Sequence, residues 1–197
     1  MPILSQSERQ RLLNAIVYFA GNTHSCGKIK LFKLLYLFDF EHFRQMGKSA
    51  TGLDYQAWKF GPVPVELMEE WEELGDDMGR LVQIAPERVI DFDRQSVKVR
   101  DGVVFDPDEF SPRQLRIMAE LATRYKTTYS PAMIDVTHAQ NGAWEKVWQG
   151  GSGAHALIPY ELALDEDAAV REPLQELARE QAMYKAALLA ARQSDLH

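Results

Sequence analysis

Asp39 and His42 stand three residues apart in the stretch KIKLFKLLYLFDFEHF, residues 28–43, so a helix would place both on one face. A carboxylate beside an imidazole is the pairing of a general base. It works as one only with a nucleophile and an oxyanion site in reach, and the sequence names neither. A carboxylate in such apolar surroundings must be hydrogen-bonded or protonated, so the favoured reading is that both are structurally satisfied polar residues. With His138 they form the set that a small hydrolase would use. Cys26, two residues after His24, invites comparison with a thiol catalyst, but a lone cysteine in a glycine-containing loop is thin evidence. The acidic run Glu69, Glu70, Glu72, Glu73, Asp76 and Asp77 offers oxygens to a hard cation, and reads more simply as a solvated helix face. His24, His42, His138, His155 and His197 have no metal-ligand spacing. Phosphate-binding glycine loops, dinucleotide fingerprints and nucleophile elbows are absent too, so neither metal nor cofactor is expected. Trp58, Trp71, Trp144 and Trp148 read as core residues before ligand stackers.

These residues depend on one element. Leu31, Leu34, Leu35 and Phe38 fall at i, i+3, i+4 and i+7, while Phe32, Tyr36, Leu37, Phe40 and Phe43 cover most of the remaining surface. A helix apolar nearly all round is buried on several sides, so residues 28–43 form the central core helix. The 197 residues carry a net charge of −7, which disfavours a general nucleic-acid binder. Lys28, Lys30 and Lys33 are the one short basic cluster. A single cysteine excludes an internal disulfide, and no apolar run approaches a membrane span, so a cytoplasmic protein is expected.

Around that helix, Ser5 and Glu8 form a capping box for a helix with the stripe Leu12, Leu13, Ile16, Val17 and Ala20, and Gly21 is its natural stop. Gly47 terminates the central helix. Residues 53–60 read as a short strand or extended segment, and Gly61-Pro62-Val63-Pro64 as a rigid bend. A helix over about 64–75 turns Leu67, Trp71 and Leu74 inward. Residues 88–105 read as a small β-hairpin or meander. Helices begin at Ser111 and at Ser130, the second ending near Ala139 with Asn141-Gly142 as breaker, and Trp144, Val147 and Trp148 make an apolar patch. After the acidic run 165–167, Leu174, Leu177, Ala178, Gln181, Tyr184, Lys185 and Leu188 mark one face of a long terminal helix. That helix either lies back on the domain or offers its face to a partner, a second copy included. The fold expected is mainly α: a helical domain, residues 1–164, around a buried central helix with a small β-hairpin insertion, followed by a C-terminal helical extension, 165–197.

Three segments together carry a resemblance. Lys30-Leu31-Phe32-Lys33-Leu34-Leu35-Tyr36 with Asp39, Phe40 and His42 resembles one family's KLQKLLYFADFxH helix. Thr51 to Pro64, TGLDYQAWKFGPVP, resembles its TGDxYxAxxYGPVP segment, and Ser130 onward, with Thr137, His138 and Trp144, is similar to its later "S…L…TH…W" segment. This is the Panacea domain family, SocA-like and also called GepA-type, matched in order over roughly residues 8–165. The resemblance implies an antitoxin of a bacterial or phage toxin–antitoxin system that neutralises its toxin by direct contact, without catalysis. Its motif contributes the polar residues Lys30, Lys33, Asp39, His42 and His138. Partner contact is expected along Tyr55, Trp58, Lys59, Phe60, Gly61, Pro62, Val63 and Pro64. The acidic face with Glu69 and Glu73, or the terminal helix, would complete the contact. A cationic toxin would suit the acidic balance. A hydrolase using Asp39, His42 and His138 is one alternative. The other is a DNA-binding autoregulator whose operator contacts would rest on Lys28, Lys30 and Lys33.

Overall fold

Nineteen residues of helix α2, Lys28–Met46, form the axis of the computed structural model, which describes residues 4–89, 92–139, 142–164 and 168–194. Leu31, Leu34, Leu35, Tyr36 and Phe38 are fully buried. Helices α1 (Gln6–Asn22), α5 (Pro112–Arg124) and α6 (Ser130–Ala139) pack around α2. Burying each such side chain contributes about 1.5–3 kcal/mol, which is why a sequence this apolar commits to the centre. Gly47, in the left-handed conformation at φ 68°, ends α2 by returning its N–H to the Phe43 carbonyl. The protein is mainly helical, with two small antiparallel hairpins among the described residues.

Both capping boxes are present. The Ser5 hydroxyl accepts from the Glu8 N–H, and Ser111 and Gln114 repeat the pattern on α5. Helix α1 nevertheless runs through Gly21. Thr23 closes it, donating both its N–H and its hydroxyl to the Phe19 carbonyl.

The Pro-Val-Pro stretch is a strand and not only a bend. Strand β1 (Tyr55–Trp58) pairs antiparallel with β2 (Gly61–Pro64), Tyr55 opposite Pro64 and Ala57 opposite Pro62. Proline is tolerated because the polar backbone groups at Tyr55 and Ala57 point away from β2. Ala57 N–H donates to the Ala156 carbonyl, while His155 and Ile158 N–H donate to the Ala57 and Tyr55 carbonyls. After a turn at His155, residues 156–158 therefore run as a short third segment beside β1, with Leu157 bridged to Gln56.

The helix expected over 64–75 stops early. Helix α3 covers only Val65–Glu70, and α4 (Asp76–Leu81) follows a bend. The Arg9 guanidinium explains the bend, binding the Glu70 carboxylate through two nitrogens and Asp77 through two more contacts at 2.8 Å. Glu70 also accepts from the Gly75 N–H at 3.1 Å. The second hairpin begins six residues earlier than its valine-rich half suggests, β3 (Val82–Val89) pairing with β4 (Phe92–Val99). Val103 and Phe105 are not in a strand; the Phe105 ring packs on Tyr18 at 4.9 Å and on Phe110 at 5.6 Å.

Short helix α7 (Ala143–Trp148) carries the apolar patch, and α8 spans Ala168–Ser194. Leu174 and Ala178 lay the first half of α8 on Phe43, Leu164 and Tyr160. The acidic run 165–167, the domain boundary before it, the helix breaker Asn141 and the side chains of Gln181, Tyr184, Lys185 and Leu188 lie outside what is described.

Candidate functional site

Four polar residues of α2, Lys30, Lys33, Asp39 and His42, point inward, and each holds a neighbouring segment. Lys30 is fully buried and donates to the His24 carbonyl at 2.9 Å and the Lys126 carbonyl at 3.1 Å. Lys33, 2% exposed, donates to the Pro62 carbonyl at 2.8 Å and has no carboxylate partner among the described residues. Burial lowers its ammonium to about 7. Asp39 accepts four hydrogen bonds: Ala50 N–H at 2.8 Å, Thr51 N–H at 2.7 Å, the Thr51 hydroxyl at 2.5 Å and the Tyr55 hydroxyl at 2.7 Å. Burial pushes its carboxyl up to about 6, and the four donors work against that rise. His42 donates Nδ1–H to the Lys48 carbonyl at 2.8 Å, and burial lowers its pKa. Asp39 and His42 thus share the 48–51 loop as partner, and no described hydrogen bond joins them to each other.

His138 belongs to a different neighbourhood. Its ring stacks on Trp144 at 3.8 Å and 5°, and its Nε2 is buried without a hydrogen-bond partner. Burial, with the Lys33 charge, lowers its pKa. Trp144 donates its indole N–H to the Trp58 carbonyl at 3.0 Å. A Cβ at Gly61, where φ is +99°, would lie 2.6 Å from Lys33 Nζ and 2.9 Å from Thr137 Oγ1. Three elements therefore brace the β1–β2 hairpin: α2 through Lys33, α6 through Thr137 and α7 through Trp144. Cys26 is equally occupied structurally; burial pushes its thiol up to about 11, so little thiolate forms near neutral pH.

What the brace presents is the outer face of a three-stranded patch. Cross-strand neighbours share a face, so Val63, Gln56 and Leu157 form one row and Trp58 and His155 the next. Contacts agree with that register: Trp58 donates to Gln56 Oε1 at 3.1 Å and its ring meets His155 at 4.8 Å. Phe60 at the turn is 61% exposed and Leu157 is 59% exposed. Of the residues expected to meet a partner, Tyr55, Gly61, Pro62 and Pro64 are buried, Trp58 and Val63 are half-buried, and Lys59, Phe60, Glu69 and Glu73 are exposed. His155 and Leu157 escaped the sequence reading, since their place beside β1 is a contact across a hundred residues. Both edges of the patch resist strand addition. Pro62 and Pro64 offer no N–H on one side, and on the other His155 at φ +64° and Pro159 confine the extended edge to a residue or two.

A cleft of about 600 Å³ lies between α8 and the body, walled by Phe43, Tyr55, Tyr160, Ala178 and Ala182. Asp39, His42 and His138 do not line it. Among the described residues no cluster of three or more His, Cys, Asp or Glu side chains is placed to hold a metal ion. No described helix is long and apolar enough to cross a membrane.

Motif side chains that hold loops and hairpins in place, beneath a braced and partly apolar surface, define a small, mainly helical module. The family comparison is more particular: the profile described as "Antitoxin SocA-like, Panacea domain" matches residues 31–145, over half of the chain, and the protein belongs to that family. No curated protein and no solved structure gives a match.

Proposed function

We propose that the protein is the antitoxin of a bacterial or phage toxin–antitoxin pair, that it acts in the cytoplasm, and that it neutralises a cognate toxin by direct contact and not by catalysis. The observation that carries this reading is the patch of Trp58, Phe60, Val63 and Leu157. A pre-ordered apolar surface lowers the ordering cost of an interface. Exposed Glu69 and Glu73 on the segment that follows add negative charge to steer a cationic toxin. The family membership supports the same reading. A hydrolase is less well supported, because Asp39 and His42 are engaged with the 48–51 loop and His138 sits apart from them. Operator binding is less well supported too: Lys30 and Lys33 are buried, donate to backbone carbonyls and are closed to phosphate.

The test is co-expression with the product of the adjacent reading frame. Growth arrest by the neighbour alone, relief by this protein and co-purification of the two are expected. A harmless neighbour, or toxicity that persists without a complex, refutes the antitoxin reading. Within a working pair, Phe60→Asp with Leu157→Asp should abolish co-purification, and Val104→Asp, at a side chain 82% exposed elsewhere, should not.

A further inference from the structure

On the side of α2 that carries His42, the surface changes character. A cleft of about 690 Å³ is lined by Arg11 from α1, Lys48 from the loop after α2, and Arg113 and Arg116 from the first turns of α5. None of these four cations takes part in an ion pair among the described residues. The hydrogen bonds they make go to neutral groups: Arg11 to the Ser7 carbonyl and hydroxyl, and Arg113 to Gln45 Oε1 at 3.1 Å. Four such cations converge in a protein whose net charge is −7. The charges of Lys48, Arg11 and Arg113 reach the His42 ring, adding to burial in lowering its pKa. Lys48, Arg113 and Arg116 are exposed, so their guanidinium and ammonium groups are accessible to a solute.

We propose that this cleft binds a phosphate-bearing anion of nucleotide size, held by Arg11, Lys48, Arg113 and Arg116. Arginine forks match phosphate oxygens in pairs, and a lysine adds a point charge. The volume falls within the range of small-ligand sites. Asp108 and Glu109 stand in the same wall. They suit the hydroxyl and amino donors of a nucleoside, and they repel the continuing backbone of a nucleic acid, which favours a mononucleotide over a polymer. The proposal stands apart from the toxin contact, because none of these residues belongs to the apolar patch.

The experiment titrates the full chain with ATP, pyrophosphate, inorganic phosphate and adenosine, following the His42 ring proton and the Lys48 and Arg113 amides by NMR. Expected are saturable shifts with ATP and pyrophosphate, weaker ones with phosphate and none with adenosine. Bound anion should also raise the His42 titration midpoint by offsetting the cations around it. Lys48→Ala with Arg113→Ala should weaken ATP binding tenfold or more, and Arg124→Ala, an exposed cation at the far end of α5, should leave it unchanged. Absence of saturable shifts at millimolar ATP overturns the proposal. So does equal binding of adenosine, or an acidic peptide that displaces ATP at equal concentration, since each would show that phosphate is not what the cleft recognises.

Discussion

Replacing Lys33 by Met should make the protein more stable at pH 6 and less stable at pH 10. Lys33 is 2% exposed, and among the described residues its ammonium makes one hydrogen bond, to the Pro62 carbonyl at 2.8 Å. Burial lowers its pKa from 10.5 to about 7. In that window the unfolded chain holds a proton that the folded chain has released, so stability rises with pH from about 7 to 10.5. Below the window both states are protonated and the penalty is constant. At ~1.36 kcal/mol per pH unit it amounts to about 5 kcal/mol. Methionine fills similar volume without charge but leaves the Pro62 carbonyl unpaired, at a cost of about 1–3 kcal/mol. The balance is a gain of about 2–4 kcal/mol at pH 6 that changes sign between about pH 8 and 10. Denaturant unfolding of both proteins at pH 6, 7.5, 9 and 10, followed by tryptophan fluorescence, reads this difference directly. A difference that does not vary with pH, or a variant already weaker at pH 6, refutes the account of Lys33 as a buried cation held at its own expense. It would mean that the ammonium has a compensating partner or reaches water.

Further predictions concern other buried groups. Asp39→Ala strands two backbone N–H groups that cannot reorient, so a loss of about 2–6 kcal/mol is expected, while Asp39→Asn keeps one acceptor oxygen for both and should lose only ~1–2 kcal/mol. Because burial raises the Asp39 pKa from 3.8 to about 6, its stabilising contribution is complete below 3.8 and is lost as pH rises through about 6. The wild type should therefore weaken against Asp39→Asn across that interval, measurable in the same unfolding series. Gly61→Ala forces a β-carbon into Lys33 and Thr137 at a left-handed φ, and should lower stability by about 1–3 kcal/mol, read as a shift in melting temperature. Cys26 should resist Ellman's reagent in the folded protein at pH 8 and react fully in denaturant. Rapid native labelling would show that the 22–27 loop opens.

The apolar sweep of residues 28–43 was enough by itself to place α2 at the centre, because no other environment accepts a helix with Leu, Phe and Tyr on every side. Local chemistry was equally legible where it acts within a few residues: the Ser5–Glu8 and Ser111–Gln114 boxes, the Gly47 stop and the onset at Ser130. The motifs shared with the SocA-like antitoxins were readable as well. Tertiary structure decided whatever depends on distant partners. Gly61–Pro64 became a strand because 155–158 takes up the other edge of β1, and α3 stopped at Glu70 because Arg9 reaches across from α1. The same dependence explains why Asp39 and His42 face a loop and not each other, and why Leu157 shares a surface with Trp58. A sequence displays periods and caps, which are properties of neighbours along the chain. Which buried donor meets which carbonyl is settled only when elements a hundred residues apart are packed together.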